Sequence, residues 1–334
     1  MKGSAHGGDI YLFAKKLKKK PKDIVDFSSN INPIMPKIKT KISKKSLSAY
    51  PDFRYVKLKK EISLKYKIKP KNIFLSNGAT EAIYLLSNIL KKDKITLYAP
   101  LYFEYKKAFK AKKVKLINRF SKENKPLKNS LIIFTNPSTP DGKYYKLKKY
   151  LKLWKKLKCT VLIDESFLDF ANKKSAISYI KRYKKLFIIK SFTKFYAAAG
   201  VRVGAIFSHA KNIKKIQKNS PIWNISKFDE EYIKRALKDK KHRKRTLKSI
   251  KKNKKRLKKI LKKSNLFSKI YPSKANFVLA KLKRKKIKVL QKRLKKEKIL
   301  VRYCDNFDFL NKRYARFAVK SKKDLKKLKK AIFA

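Results

Sequence analysis

The sequence predicts an α/β fold, with a mostly parallel central sheet lying between helices and a smaller α+β domain beside it. Three observations carry this expectation. From about residue 70 to about 210, short β-rich runs alternate with helical stretches, the order a parallel sheet requires. Several of those runs end in polar, Gly- or Pro-marked motifs, at the carboxyl ends where such sheets bind ligands. After about residue 210 the pattern changes to long Lys-rich helices, with short strands expected at 277–280 and 316–319. Residues 30–210 are therefore assigned to the large domain, and residues 1–29 with 211–334 to the small one.

With 334 residues and 43% apolar composition, the chain can bury a sizeable core. No run approaches the roughly 18 uninterrupted apolar residues of a membrane span. The first residues lack the apolar segment of a secretory signal, so a cytoplasmic location is expected. Cys159 and Cys304 show no spacing of a redox pair or metal site, and no metal is expected. The formal charge of +76 favours anionic ligands. The lysines are scattered over helix faces, as at 247–263, where Leu247, Ile250, Leu257, Ile260 and Leu261 keep helical spacing and lysines fill the other faces. No arm, tail or recognition motif accompanies them, so neither specific nucleic-acid nor membrane binding is expected.

Along the chain, 73–75 reads as a strand. The turn Ser-Asn-Gly-Ala follows at 76–79, and a helix opens at Thr80. Gly78, Ala79 and Thr80 thus offer free backbone N–H groups and a positive dipole end to an anion. Residues 95–98 form the next strand, before Pro100, and a helix follows through Glu104 to Ala111. Strand 131–134 runs into the loop Thr-Asn-Pro-Ser-Thr-Pro-Asp-Gly at 135–142, a turn signal on its own. Strand 161–163 ends at Asp164, which places a carboxylate at the ligand edge. Strand 186–189 leads to Lys-Ser-Phe-Thr-Lys-Phe at 190–195. Lys194 is one lysine among many, but Arg202 follows eight residues later in a stretch of small residues before the strand 203–207. Ser191, Thr193 and Arg202 could together grip one phosphate.

These four segments, in this order, resemble the fold-type I pyridoxal-phosphate (PLP) enzymes of the class I/II aminotransferase superfamily, histidinol-phosphate aminotransferase branch. The resemblance spans essentially the whole chain, and Ser-Phe-Thr-Lys-Phe-Tyr and Asp-Glu-Ser-Phe are its most specific parts. It implies PLP as cofactor, with Lys194 holding it as a Schiff base and moving the proton. Asp164 would pair with the pyridine nitrogen, and Tyr102 would stack on the ring. Gly78, Ala79, Thr80, Ser191, Thr193 and Arg202 would form the phosphate cup. Tyr50 would reach the cofactor phosphate of a partner subunit, which implies a homodimer, and Arg316 would clamp the substrate α-carboxylate. Two positions depart from the family pattern. Thr139 stands where an Asn usually bonds the ring oxygen, and Phe167 stands where a Tyr is usual.

The opening His-Gly-Gly-Asp at 6–9, Asp-Phe-Ser-Ser-Asn-Ile-Asn-Pro at 26–33, Phe167 and the run 299–307 resemble L-threonine-O-3-phosphate decarboxylases of cobalamin synthesis. By that likeness Arg302 and His6 would bind the phosphate of a phosphorylated amino-acid substrate, with Asn32 near its carboxylate. The alternative is a histidinol-phosphate or related aminotransferase. Both reactions begin from the same substrate–cofactor adduct. The Cα bond that stands perpendicular to the ring decides between them, and a list of residues leaves that open. A basic nucleic-acid-binding protein without catalysis is the remote alternative. It expects loss of Lys194, Asp164 or Arg202, and all three are present.

Overall fold

The computed structural model describes residues 7–41, 44 and 48–334. A short strand, β1 (Val25–Asp26), precedes seven strands of one sheet. These are β2 (Ile73–Asn77), β3 (Lys94–Ala99), β4 (Lys113–Asn118), β5 (Leu131–Thr135), β6 (Thr160–Asp164), β7 (Leu186–Ser191) and β8 (Val203–Ser208). Their order is β2-β8-β7-β6-β5-β3-β4. All neighbours from β7 through β4 pair in parallel, while β8 is antiparallel to both β2 and β7. The inner strands are apolar on both faces. Ile132 and Phe134 of β5 enter one buried cluster, and Leu131 and Ile133 enter the other. A sheet covered by helices on both sides requires this.

The reversed direction of β8 positions the site. The parallel strands deliver the residues after their carboxyl ends to one edge. Because β8 runs the other way, the residue before its start, Arg202, arrives at that same edge. Gly204 lets the turn after β2 lie on β8. It stands opposite Ser76, and a Cβ there would meet the Gly78 carbonyl carbon at 2.6 Å.

In and beside the large sheet, two elements differ from what the sequence predicts. The helix expected to reach Ala111 is Phe103–Ala108, and the chain then enters the unanticipated β4. Alternation in Lys-Val-Lys-Leu-Ile-Asn places lysines on the edge strand. There they block pairing with other chains and disguise the strand as a polar segment.

The second sheet contains β9 (Phe267–Ile270) and β10 (Phe277–Leu282). After β11 (Ile299–Leu300), which pairs in parallel with β1, come β12 (Arg302–Tyr303) and β13 (Tyr314–Ala318). The order β12-β13-β10-β9 is antiparallel throughout. Packing moves the change of architecture beyond residue 210. The helices Ala210–Lys218 and Lys227–Lys238 still lie against the large sheet and the helix Val56–Tyr66. The change comes in the long helix His242–Lys263, which reaches β9, β10 and the last helix. That helix buries Ile250, Leu257 and Leu261 and turns most of its lysines outward, as its spacing predicts, while Lys254 folds in to donate to the Ser273 carbonyl at 3.2 Å. Among the described residues, no helix is long and apolar enough to cross a membrane.

Candidate active site

The carboxyl edge of the large sheet, the N-terminal segment and the small sheet enclose one cavity of about 400 Å³. Ala79, Thr80, Tyr102, Thr139, Asp164, Ser191, Thr193, Lys194, Arg202, Arg302 and Arg316, all expected from the sequence, line it together.

Lys194 lies in the short helix Phe192–Phe195 directly after β7. Its amine is 3.5 Å from the Ser191 hydroxyl and 5.4 Å from the centre of the Phe167 ring. Burial pushes the ammonium below its ordinary range. The Asp164 carboxylate opposes this, while the Arg202 and Arg316 cations add to it. A lysine so placed has more free amine at neutral pH and is a better nucleophile. Asp164 ends β6. One of its oxygens accepts from the Ser166 N–H at 2.8 Å and the other from the Tyr105 hydroxyl at 3.0 Å. Tyr105 was not anticipated. It is fully buried, and burial beside this carboxylate keeps its phenol protonated well above the usual range.

The helix Gly78–Ile89 points its N-terminus at the cavity. Gly78 backs this cup without lining the cavity. Its φ is +71°, and a Cβ would come 2.6 Å from the Arg202 guanidinium. Ser191 and Thr193 share a hydroxyl–hydroxyl contact of 2.8 Å beside it. We expect Gly78→Ala to cost about 1–2 kcal/mol in backbone strain. It should also displace Arg202 and weaken cofactor binding about tenfold, readable by titrating cofactor into the apoprotein.

Arg316 on β13 is buried, and burial lowers its guanidinium to about 10, still cationic at neutral pH. It donates to the Thr139 hydroxyl at 3.1 Å and to the Ser28 carbonyl at 2.9 Å. The Asn30 amide, oxygen turned inward, accepts from both Nη atoms at 3.1 and 3.3 Å. Arg302 stands directly opposite Arg316 across the β12–β13 pair and holds Asn306 at 2.6 Å.

Asn32, expected near the substrate, does not line the cavity. Its backbone N–H donates to the Lys194 carbonyl at 3.0 Å, and its amide donates to the Phe195 carbonyl at 2.7 Å and to Thr246 at 2.9 Å. It thereby satisfies the free carbonyls of the short helix that carries Lys194. Asn30, two residues earlier, is the one that faces the cavity. The segment is irregular, so no periodicity distinguishes the two. Tyr50 is 79% exposed and stacks on Trp223 at 4.4 Å, away from this chain's own cavity. His6 lies outside the described residues.

These groups match the donor set of PLP: an amine, a carboxylate, an aromatic face and an anion cup at a helix start. The family model for class I and II aminotransferases matches residues 22–332. The chain is 32% identical to the bifunctional adenosylcobalamin biosynthesis protein of Leptospira interrogans. The match covers 97% of this chain, which spans 40% of that protein's length. It is 27% identical to the threonine-phosphate decarboxylase of Salmonella typhimurium, over 95% of this chain and 93% of that one. The histidinol-phosphate aminotransferase structure from Clostridium acetobutylicum superposes with a TM-score of 0.80 at 32% identity, over 92% of this chain and 97% of that one.

Proposed function

The chain belongs to the class I and II aminotransferase family, whose enzymes use pyridoxal 5'-phosphate, and from that premise we propose that it decarboxylates L-threonine-O-3-phosphate in cobalamin synthesis. The observation that carries this reading is the cross-strand pair Arg302 and Arg316. Like charges directly opposite each other destabilise a sheet. Two buried guanidinium groups kept on neighbouring strands suit a small substrate with two anionic groups. The Salmonella relative supports a phosphorylated amino acid as that substrate.

In this reading, Arg316 and Asn30 grip the α-carboxylate, and Arg302 takes the substrate's phosphate. Lys194 would hold the cofactor and return a proton to the substrate Cα once CO₂ has left. Asp164, steadied by Tyr105 and the Ser166 N–H, would keep the pyridine nitrogen protonated, and Tyr102 would cover the ring. Ala79, Thr80, Ser191, Thr193 and Arg202 would hold the cofactor phosphate, with Gly78 behind them. When bound, the cofactor supplies an electron sink for the pair released at Cα. The Thr139 hydroxyl accepts from Arg316, and Phe167 has no polar atom, so a bound cofactor's ring oxygen would find fewer polar partners here than in the family's pattern. The exposed aromatics Tyr50, Phe53, Trp223 and Phe228 support a homodimer in which Tyr50 serves the partner's cofactor. Two buried, unpaired cysteines suit a cytoplasmic enzyme.

The test is product analysis. Release of CO₂ and aminopropanol phosphate from L-threonine-O-3-phosphate is the expected result. The likeness to the Clostridium structure supports a second reading, histidinol-phosphate transamination. Glutamate formed from histidinol phosphate and 2-oxoglutarate, without CO₂ from the threonine phosphate, would establish that reading instead.

A further inference from the structure

Two charges that line the cavity have no part in the roles above. Lys106, on the helix Phe103–Ala108 just after Tyr102, donates to Asp308 Oδ1 at 2.8 Å. Asp308 lies in the loop between β12 and β13. The side chains are 39% and 21% exposed, so the pair sits at the cavity mouth rather than in its depth. Among the ion pairs of the described residues, it is the one in which both partners line the cavity. It joins the wall built on the large sheet to the loop of the small one.

The other cavity charges have neighbours that suit fixed duties. Asp164 accepts from Tyr105 and Ser166, Arg202 packs on Gly78, and Arg316 meets Thr139, Ser28 and Asn30. Arg302 donates to Asn306, and its guanidinium lies 5.1 Å from the centre of the Phe307 ring. One stretch, Asn306-Phe307-Asp308, therefore carries partners of both Arg302 and Lys106. An anion that binds Arg302 arrives beside the loop that holds Lys106.

We propose that Lys106 and Asp308 form an exchangeable clasp, in which the substrate's second anion takes Lys106 from Asp308. This rests on the two-anion reading above. A phosphate monoester carries about −1.5 to −2 charges and three acceptor oxygens at neutral pH. It outcompetes the single charge of Asp308 for a half-exposed ammonium, whereas a neutral hydroxyl cannot. Lys106 is then a specificity-determining residue that favours phosphorylated over unphosphorylated amino acids, and Asp308 keeps the clasp shut against weaker ligands.

The experiment is rapid mixing of the full-length, PLP-loaded protein with O-phospho-L-threonine or with L-threonine. The first change in cofactor absorbance gives each dissociation constant, whatever reaction follows. The ratio of the two constants is the readout, and L-threonine controls for general damage to the site. We expect wild type to prefer the phosphorylated ligand by tenfold or more. Lys106→Ala should cut that preference about tenfold, Lys106→Arg should retain most of it, and Asp308→Asn should raise it about threefold. An unmoved ratio in Lys106→Ala, with wild type still discriminating, overturns the clasp alone. A lower ratio in Asp308→Asn overturns the exchange, because Asp308 would then be positioning Lys106 for the ligand. Equal wild-type affinity for both ligands sinks the two-anion reading, and the clasp with it.

Discussion

Lys194→Ala is expected to lose the near-visible absorbance band of the bound cofactor and to lower turnover by about 10³-fold or more. Borohydride treatment should leave no cofactor-sized mass on this variant, while the wild type keeps one. The contrast with Lys190 sharpens the test. Lys190 is four residues earlier, on β7, and does not line the cavity. Its amine lies 3.3 Å from Glu165 and 3.8 Å from Asp169, with 3% of the side chain exposed. Removing one partner of so buried a pair costs roughly 3–5 kcal/mol. Lys190→Ala should therefore lower thermal stability and retain the band. If Lys190→Ala loses the band and Lys194→Ala keeps it, the assignment of the cofactor lysine is wrong.

Replacing Arg316 by lysine should lower kcat/KM about 100-fold while leaving the absorbance band intact. Lysine keeps the positive charge but not the planar fork, and the fork is what meets a carboxylate with two parallel hydrogen bonds. Two charge-assisted bonds at about 1.5 kcal/mol each amount to roughly 3 kcal/mol, or two decades in rate. The shorter side chain also leaves Asn30 and the Ser28 carbonyl without their buried donor. The loss should appear mainly as a raised KM for the amino acid. A variant within threefold of wild type would remove Arg316 from substrate binding.

The sequence made the large sheet legible because its strands are apolar on both faces and each polar motif follows one of them. Lys194, Asp164 and Arg202 could be named because each stands beside a strand end, which shows as a change from apolar to polar residues, and because the motifs around them resemble a known family. The edge strand β4 was hidden by its lysines. Asn30 and Asn32 could not be told apart, because their segment has no repeat, and only the tertiary packing sends one to Arg316 and the other to the Lys194 helix. Tyr105, Lys106 and Asp308 left no trace, since a buried tyrosine and a surface-type ion pair look like any others. Lys-rich helices look alike whichever sheet they cover, so residues 210–238 gave no sign that they pack against the first.

The Arg316 guanidinium joins residues far apart in the chain. Ser28 and Arg316 are separated by 288 positions, and the Ala318 N–H donates to the Phe27 carbonyl at 2.9 Å. During synthesis the large sheet can assemble as soon as β8 has emerged, together with the cup, the carboxylate and the lysine that would receive a cofactor. The other half of the cavity must wait for β13, which carries Arg316. A nascent chain would thus form the surface expected to hold a cofactor well before the pocket expected to select a substrate, because closing so long a loop comes late.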